Sequence, residues 1–99
     1  MHARIITFHY QLGKVDEGLD LLRETVVPEL RQLTGYRGAT NLVDRSNNKV
    51  VGITFWQSEA ALRDSGLSKL QARFAVVSKL LIATPLVETY EVTDQESVS

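Results

Sequence analysis

Apolar residues recur along this chain with two periods, and the places where one period gives way to the other predict six elements. Residues 4–11, Arg-Ile-Ile-Thr-Phe-His-Tyr-Gln, are dense in β-branched and aromatic side chains, the composition of a first strand. Leu12-Gly13-Lys14 turns the chain. Beyond it Val15, Leu19, Leu22, Val26, Leu30 and Leu33 are spaced four, three, four, four and three apart, one face of an amphipathic helix. Asp16, Glu17, Asp20, Arg23 and Glu24 turn mostly outward, and the early acids suit the positive end of the helix dipole. Pro28 falls inside this pattern. It has no N–H and its ring crowds the carbonyl of Glu24, so a kink or restart is expected near Val27. Gly35 is a suitable helix stop.

Tyr36 to Asp44 and Lys49 to Trp56 read as a second and third strand, joined through Ser46-Asn47-Asn48, whose asparagines tolerate left-handed backbone. Ser58 is placed to cap a short helical turn over Glu59–Arg63, which Ser65-Gly66 interrupts. Leu67, Leu70, Phe74, Val77 and Leu81, spaced three, four, three and four, predict a longer helix. Thr84-Pro85 ends it, because the residue before proline avoids helical angles. Leu86 to Val92 is the last strand. The expected fold is thus α+β, ferredoxin-like βαββαβ: a four-stranded antiparallel sheet with two helices on one face. It occupies residues 1–92, and 93–99 form a polar tail.

Two helices cover one face of such a sheet. A second face turned to water would make the strands alternate cleanly between apolar and polar residues. They do not: Val51, Ile53 and Phe55 oppose Val50, Gly52, Thr54 and Trp56, and Ile6, Phe8 and Tyr10 oppose Ile5, Thr7 and His9. Both faces are half apolar, which predicts a homodimer packed sheet to sheet.

Composition removes several classes of chemistry. Ninety-nine residues with 43% hydrophobic and 23% charged content make one ordinary globular domain. A net charge of −1 attracts neither nucleic acid nor an anionic membrane. There is no cysteine, hence no disulfide and no thiolate ligand or nucleophile. The N-terminal residues lack the apolar stretch of a signal peptide, and no apolar run is long enough to span a bilayer. A cytoplasmic location is expected. Two histidines seven residues apart lack metal-ligand spacing, and no P-loop, Gly-x-Gly-x-x-Gly or Gly-x-Ser-x-Gly segment occurs, so no metal or cofactor is expected.

Leu33-Thr34-Gly35-Tyr36-Arg37-Gly38-Ala39, followed after the hairpin by Thr54-Phe55-Trp56-Gln57-Ser58-Glu59-Ala60-Ala61-Leu62, resembles the dimeric α/β-barrel proteins, and most closely the antibiotic biosynthesis monooxygenase-like (ABM) domains. The resemblance implies a small apolar or aromatic ligand held between sheet and helices, with Trp56 at the end of the third strand lining the pocket. Some members are cofactor-free, quinone-forming oxygenases and others degrade haem. An asparagine that precedes the tryptophan by four residues in the former is Gly52 here, and an aromatic six residues after it is Leu62. No histidine follows His9, so the haem-degrading route is not expected.

The candidate pocket residues are Trp56, His9, Asn41, Tyr36, Phe74 and Tyr90. Trp56 offers a flat face for stacking, although closing a core at a strand end is its commoner duty. His9 carries an imidazole, the side chain most often used as a general base, against the more ordinary role of a structural histidine. Tyr36, Tyr90 and Asn41 would add polar contacts in an apolar pocket. Arg73, beside Phe74, is a candidate anion contact whose ordinary reading is a solvated helix face. Two functions compete: an ABM-like monooxygenase of small aromatic, quinol-type substrates, and a binding or stress-related homodimer that holds a small molecule without transforming it.

Overall fold

A computed structural model describes residues 1–97, with the side chains at 67, 68, 70 and 71 outside the description. The strands are β1 (His2–His9), β2 (Tyr36–Asp44), β3 (Lys49–Trp56) and β4 (Leu86–Glu91). They form one antiparallel sheet in the order β2-β3-β1-β4, with the helices on one face, as the element order led one to expect. Among the described residues no helix is long and apolar enough to cross a membrane.

Each predicted helix is divided. The first comprises α1 (Val15–Leu21), a π-helical turn (Leu22–Val26) and α2 (Val27–Leu30). The wider π turn falls immediately before Pro28, which sits in the first turn of α2, where its missing N–H costs nothing. Leu33, expected in the helix, lies beyond it, in turns bonded Leu33 N–H to Leu30 and Tyr36 N–H to Leu33. The second helix comprises α3 (Glu59–Asp64) and α4 (Leu67–Ala75), separated by Gly66 at φ +84°. Ser58 caps α3: its Oγ accepts the Ala61 N–H at 3.1 Å. The stripe predicted to run to Leu81 stops being α-helical at Ala75. Ser78 Oγ donates to the Ala75 carbonyl at 3.1 Å, a side-chain bond that competes with helix continuation. Of that stripe, Leu67 and Leu70 lie outside the described side chains.

Strand β1 starts at His2 and ends at His9, two residues earlier at each end than the apolar run suggests. Tyr10 makes only an isolated bridge to Leu81, and the Gln11 N–H is taken by the Leu80 carbonyl at 2.8 Å. Strand β4 ends one residue before Val92, whose N–H still reaches the Met1 carbonyl.

The register sorts the side chains. On the helix side His2, Arg4, Ile6 and Phe8 pair with Trp56, Thr54, Gly52 and Val50. Phe8, Tyr10, Val50 and Trp56 join Val15, Leu19, Leu22, Val26 and Leu30 from the first helical arm and Leu62, Val77 and Leu80 from the second in one buried cluster. Burying each large aliphatic or aromatic side chain there contributes about 1.5–3 kcal/mol. Gly18 lets α1 approach the ring of Tyr10, whose phenol is pushed up to about pKa 12 by burial. Gly35, at φ +84°, faces Ala61: a Cβ added there would sit 2.5 Å from the alanine methyl. The two segments that carry the family resemblance therefore meet in space. The Gly35 carbonyl also accepts the Gln57 N–H at 2.7 Å, tying the start of β2 to the start of α3.

Among the described residues the other side of the sheet carries no helix. One cross-strand row there is Leu42, Val51, Thr7 and Leu86, and the neighbouring row includes Ile53 and Ile5. Leu42 and Leu86 are 52% and 57% exposed, so this face presents large apolar groups to solvent.

Candidate functional site

Two rows of side chains on the helix side form the floor of a cleft. One runs Asn41, Gly52, Ile6, and the next runs Ala39, Thr54, Arg4, from β2 through β3 to β1. Ala39 and Gly52 are the smallest residues on this face, and they hollow the floor where larger groups would meet the helices. Leu22, Val26 and Leu30 form the roof on one side, and Phe74 and Arg73 of α4 close the other. Phe74 stands edge-on to Phe8, ring centroids 6.0 Å apart at 86°, a favoured aromatic geometry. The cavity holds about 70 Å³. That is about half of the ~150 Å³ that accommodates benzene, so a single flat ring enters only if the lining side chains move or part of the ring projects through the mouth. Ala39 and Asn41 are exposed on β2, the sheet's edge, and mark the mouth.

The space above Gly52 is partly claimed from the adjacent strand. A Cβ built on Gly52 would lie 3.2 Å from Asn41 Oδ1 and 3.9 Å from the ring of Phe8. The resemblance expects an asparagine at position 52. Here the carboxamide comes from Asn41, the cross-strand partner, and reaches the same region of the floor.

Of the six residues singled out from sequence, Asn41 and Phe74 line this cleft. Trp56 does not. It is fully buried, donates its indole N–H to Thr54 Oγ1 at 2.9 Å, and meets Tyr36 edge-on at 5.6 Å. No face of the indole is free for stacking, because β3 ends under the helices and the ring fills that corner. Its contact with the cleft runs through the Thr54 hydroxyl that it fixes. Tyr36 packs behind it, and burial raises the pKa of its phenol, with nearby Arg31 opposing. His9 pairs with Lys49 at the end of β1, on the bare side of the sheet. Tyr90 is also on that side, half exposed, its hydroxyl donating to Glu88 Oε2 at 2.6 Å. Neither reaches the cleft.

Arg73 departs from the solvated position its sequence context suggested. It is 5% exposed, donates to the Ser65 carbonyl at 3.3 Å, and pairs with Glu29 at 3.1 Å. Arg4 is 3% exposed and donates to Ser65 Oγ at 2.7 Å and to the Leu62 carbonyl at 3.0 Å. Sequence reading passed over Arg4, although a signal was there: it shares parity with Ile6 and Phe8, and a charge on the apolar side of a strand is unusual. Among the described residues no cluster of potential metal ligands occurs.

No family model matches the chain. It is 28% identical over 94 residues to Rv2557, an uncharacterised protein of Mycobacterium tuberculosis (strain ATCC 25618 / H37Rv); the match covers 93% of this chain and 41% of the relative. The chain thus spans well under half the length of that relative. Among solved structures, a monooxygenase from the gene ActVA-Orf6 of Streptomyces coelicolor, in complex with nanaomycin D, superposes with a TM-score of 0.80 at 20% identity, over 99% of this chain and 92% of its own. SnoaB, a cofactor-independent oxygenase of Streptomyces nogalater, gives 0.75 at 16% identity, over 95% and 94%. The chain has the ferredoxin-like fold of the antibiotic biosynthesis monooxygenase proteins, and at these identities the likeness is one of fold.

Proposed function

We propose that the cleft between sheet and helices binds a small aromatic molecule and that the protein is a cofactor-independent monooxygenase of phenol- or quinol-type substrates. The observation that carries this reading is the cleft itself: a small apolar slot, open at the sheet's edge, with one carboxamide and one hydroxyl at its floor, in a fold shared with oxygenases. In such a site Phe74 and Ile6 would clamp the ring, and Asn41 would hold a ring oxygen by hydrogen bonding. Exclusion of water would then favour an electron-rich ring oriented toward dioxygen. The reaction closes without an external reductant: a phenol with a free ring C–H and O2 give the quinone and water, one oxygen atom entering the ring and the other leaving as water.

The test is oxygen uptake with a panel of phenols and hydroquinones, followed together with quinone absorbance. Uptake that falls at least about tenfold in Phe74→Ala supports the oxygenase. Melting shifts with the same compounds and no turnover support the second reading, a binding protein; it draws on Gly52 and Leu62, which stand where the resemblance expects polar and aromatic helpers. Neither uptake nor shifts would sink both.

We also propose that two copies pack through the bare sheet face, as the resemblance to dimeric barrels implies. The Leu42–Val51–Thr7–Leu86 row supports this, because isolated sheets rarely leave such rows wet. Light scattering at micromolar concentration should report a particle of twice 11.1 kDa. The cytoplasmic location expected from sequence is proposed on the absence of cysteine and is tested by cell fractionation.

A further inference from the structure

Arg4 and Arg73 converge on one residue. Arg4 binds the Ser65 hydroxyl and Arg73 the Ser65 carbonyl, so two guanidinium groups, each at least nine-tenths buried, lie side by side at the inner wall of the cleft. Buried like charges repel strongly, and each needs a counter-charge. All twelve Asp and Glu residues of the chain are among those described. Only Glu29 contacts the pair, through Arg73, and its side chain is half exposed. No carboxylate forms an ion pair with Arg4; Glu59 and Glu91 stand farther off, across a surface hollow that Arg4 also borders on its other side. The Leu62 carbonyl, in the last turn of α3, supplies only the partial charge of a helix end.

Two further details point the same way. Nε of Arg4 and Nε of Arg73 are buried and have no hydrogen-bond partner among the described residues. Buried donors are ordinarily satisfied, and two orphaned guanidinium donors bordering one cavity mark a position where an acceptor is missing. Burial and the neighbouring Arg73 also both act to lower the pKa of Arg4, the sign expected of a cation short of counter-charge.

From this pair we infer that the cleft recognises an anion: a single aromatic ring bearing a planar oxyanion, either a carboxylate or an ionised phenol, seated with its oxygen toward Arg4 and Arg73 and its ring against Ile6 and Phe74. The inference rests on the aromatic-binding reading of the cleft and adds the charge of the ligand. It also gives the guanidinium pair a reason to be buried, since a charge-assisted bond in an apolar slot is stronger and more selective than one at the surface.

The experiment is a titration of the full chain at pH 7 and low salt with benzoate, pentafluorophenolate, benzamide and benzyl alcohol, read by backbone amide shifts at Ile6, Gly52 and Phe74. At least one anion should bind about tenfold or more tightly than both neutral ligands. Benzoate alone would name carboxylates as the ligand class, and pentafluorophenolate alone would name phenolates. Arg4→Met should bring the favoured anion down to the affinity of benzamide. Glu29→Gln removes the one counter-charge without touching the cleft, so it should raise anion affinity about threefold and leave benzamide unchanged. A structural role for the arginines would produce no such gain, and an unchanged anion affinity in Glu29→Gln overturns the inference even if Arg4→Met does not fold. If neutral and anionic rings bind alike in the cleft, the aromatic-binding reading stands and the anion is refuted. If none of the four moves the cleft amides, both fail.

Discussion

Gly52 offers a sharp test because its backbone gives no reason for a glycine. It lies in the middle of β3 without a positive φ, unlike Gly13, Gly35, Gly38 and Gly66. In an ordinary strand a glycine costs about 0.5–1 kcal/mol relative to alanine, through the backbone freedom it loses on folding. Gly52→Ala should recover that amount. Its methyl would lie 3.2 Å from Asn41 Oδ1, closer than comfortable, but Asn41 is exposed on the edge strand and can swing outward. The other neighbours, Phe8 and the Ile6 carbonyl, stand at 3.9 and 4.0 Å, in ordinary contact. Stability should therefore rise by up to about 0.5–1 kcal/mol, or roughly 2–8 °C in Tm for a domain of this size. The same methyl occupies the floor of a cavity of only about 70 Å³ and displaces the Asn41 carboxamide. Ring binding and any oxygen uptake should fall at least about tenfold. Calorimetry and a ligand titration on the same sample decide it. A variant more stable and still fully active would show that the cleft is not the site, and a destabilised variant would show that the floor is already filled.

Three other substitutions test the packing. Gly18→Ala improves helix propensity by about 1 kcal/mol but places a methyl into the Tyr10 ring, with Cζ at 2.5 Å, so overpacking of about 1–3 kcal/mol should dominate and Tm should drop. A rise in Tm would mean that α1 can move away from the ring. Gly35→Ala combines a left-handed backbone with the Ala61 methyl at 2.5 Å; a loss of about 2–4 kcal/mol in urea unfolding is expected, and less than 1 would contradict the contact between the two motif segments. Tyr10 has its pKa raised to about 12, so the folded state keeps its proton where the unfolded chain has lost it, and stability should be unaffected below about pH 10 and decline between about pH 10 and 12. Tyr10→Phe should flatten that decline, and an identical alkaline profile in both proteins would refute the assignment.

The element order was legible because apolar spacing survives in both helical arms and because Pro28, Ser58 and Gly66 each leave a local signature. The sequence also marked the sheet's two apolar faces. It could not show that helical character lapses at Leu22–Val26 and after Ala75, since both apolar stripes continue through those points while the hydrogen bonding changes. Asn41 and Phe74 were accessible to reasoning from residue type. Trp56 was not: its parity places it on the helix side, but whether a residue on that side lines a space or fills one depends on what the helices set against it. The cleft exists because Ala39 and Gly52, thirteen positions apart, lie in adjoining rows of the floor, and only the strand register reveals that. Arg4 and Arg73, separated by most of the chain, meet through Ser65 for the same reason.

The most direct measurement is the position of a bound ring. Isotope-labelled protein titrated with a phenol that proves active, or that shifts the melting temperature, should show perturbed amides at Ile6, Asn41, Gly52 and Phe74, while Leu86, Glu88 and Tyr90 on the bare face stay fixed. Perturbations confined to that bare face, or none at a concentration that raises the melting temperature, would contradict a functional cleft under the helices.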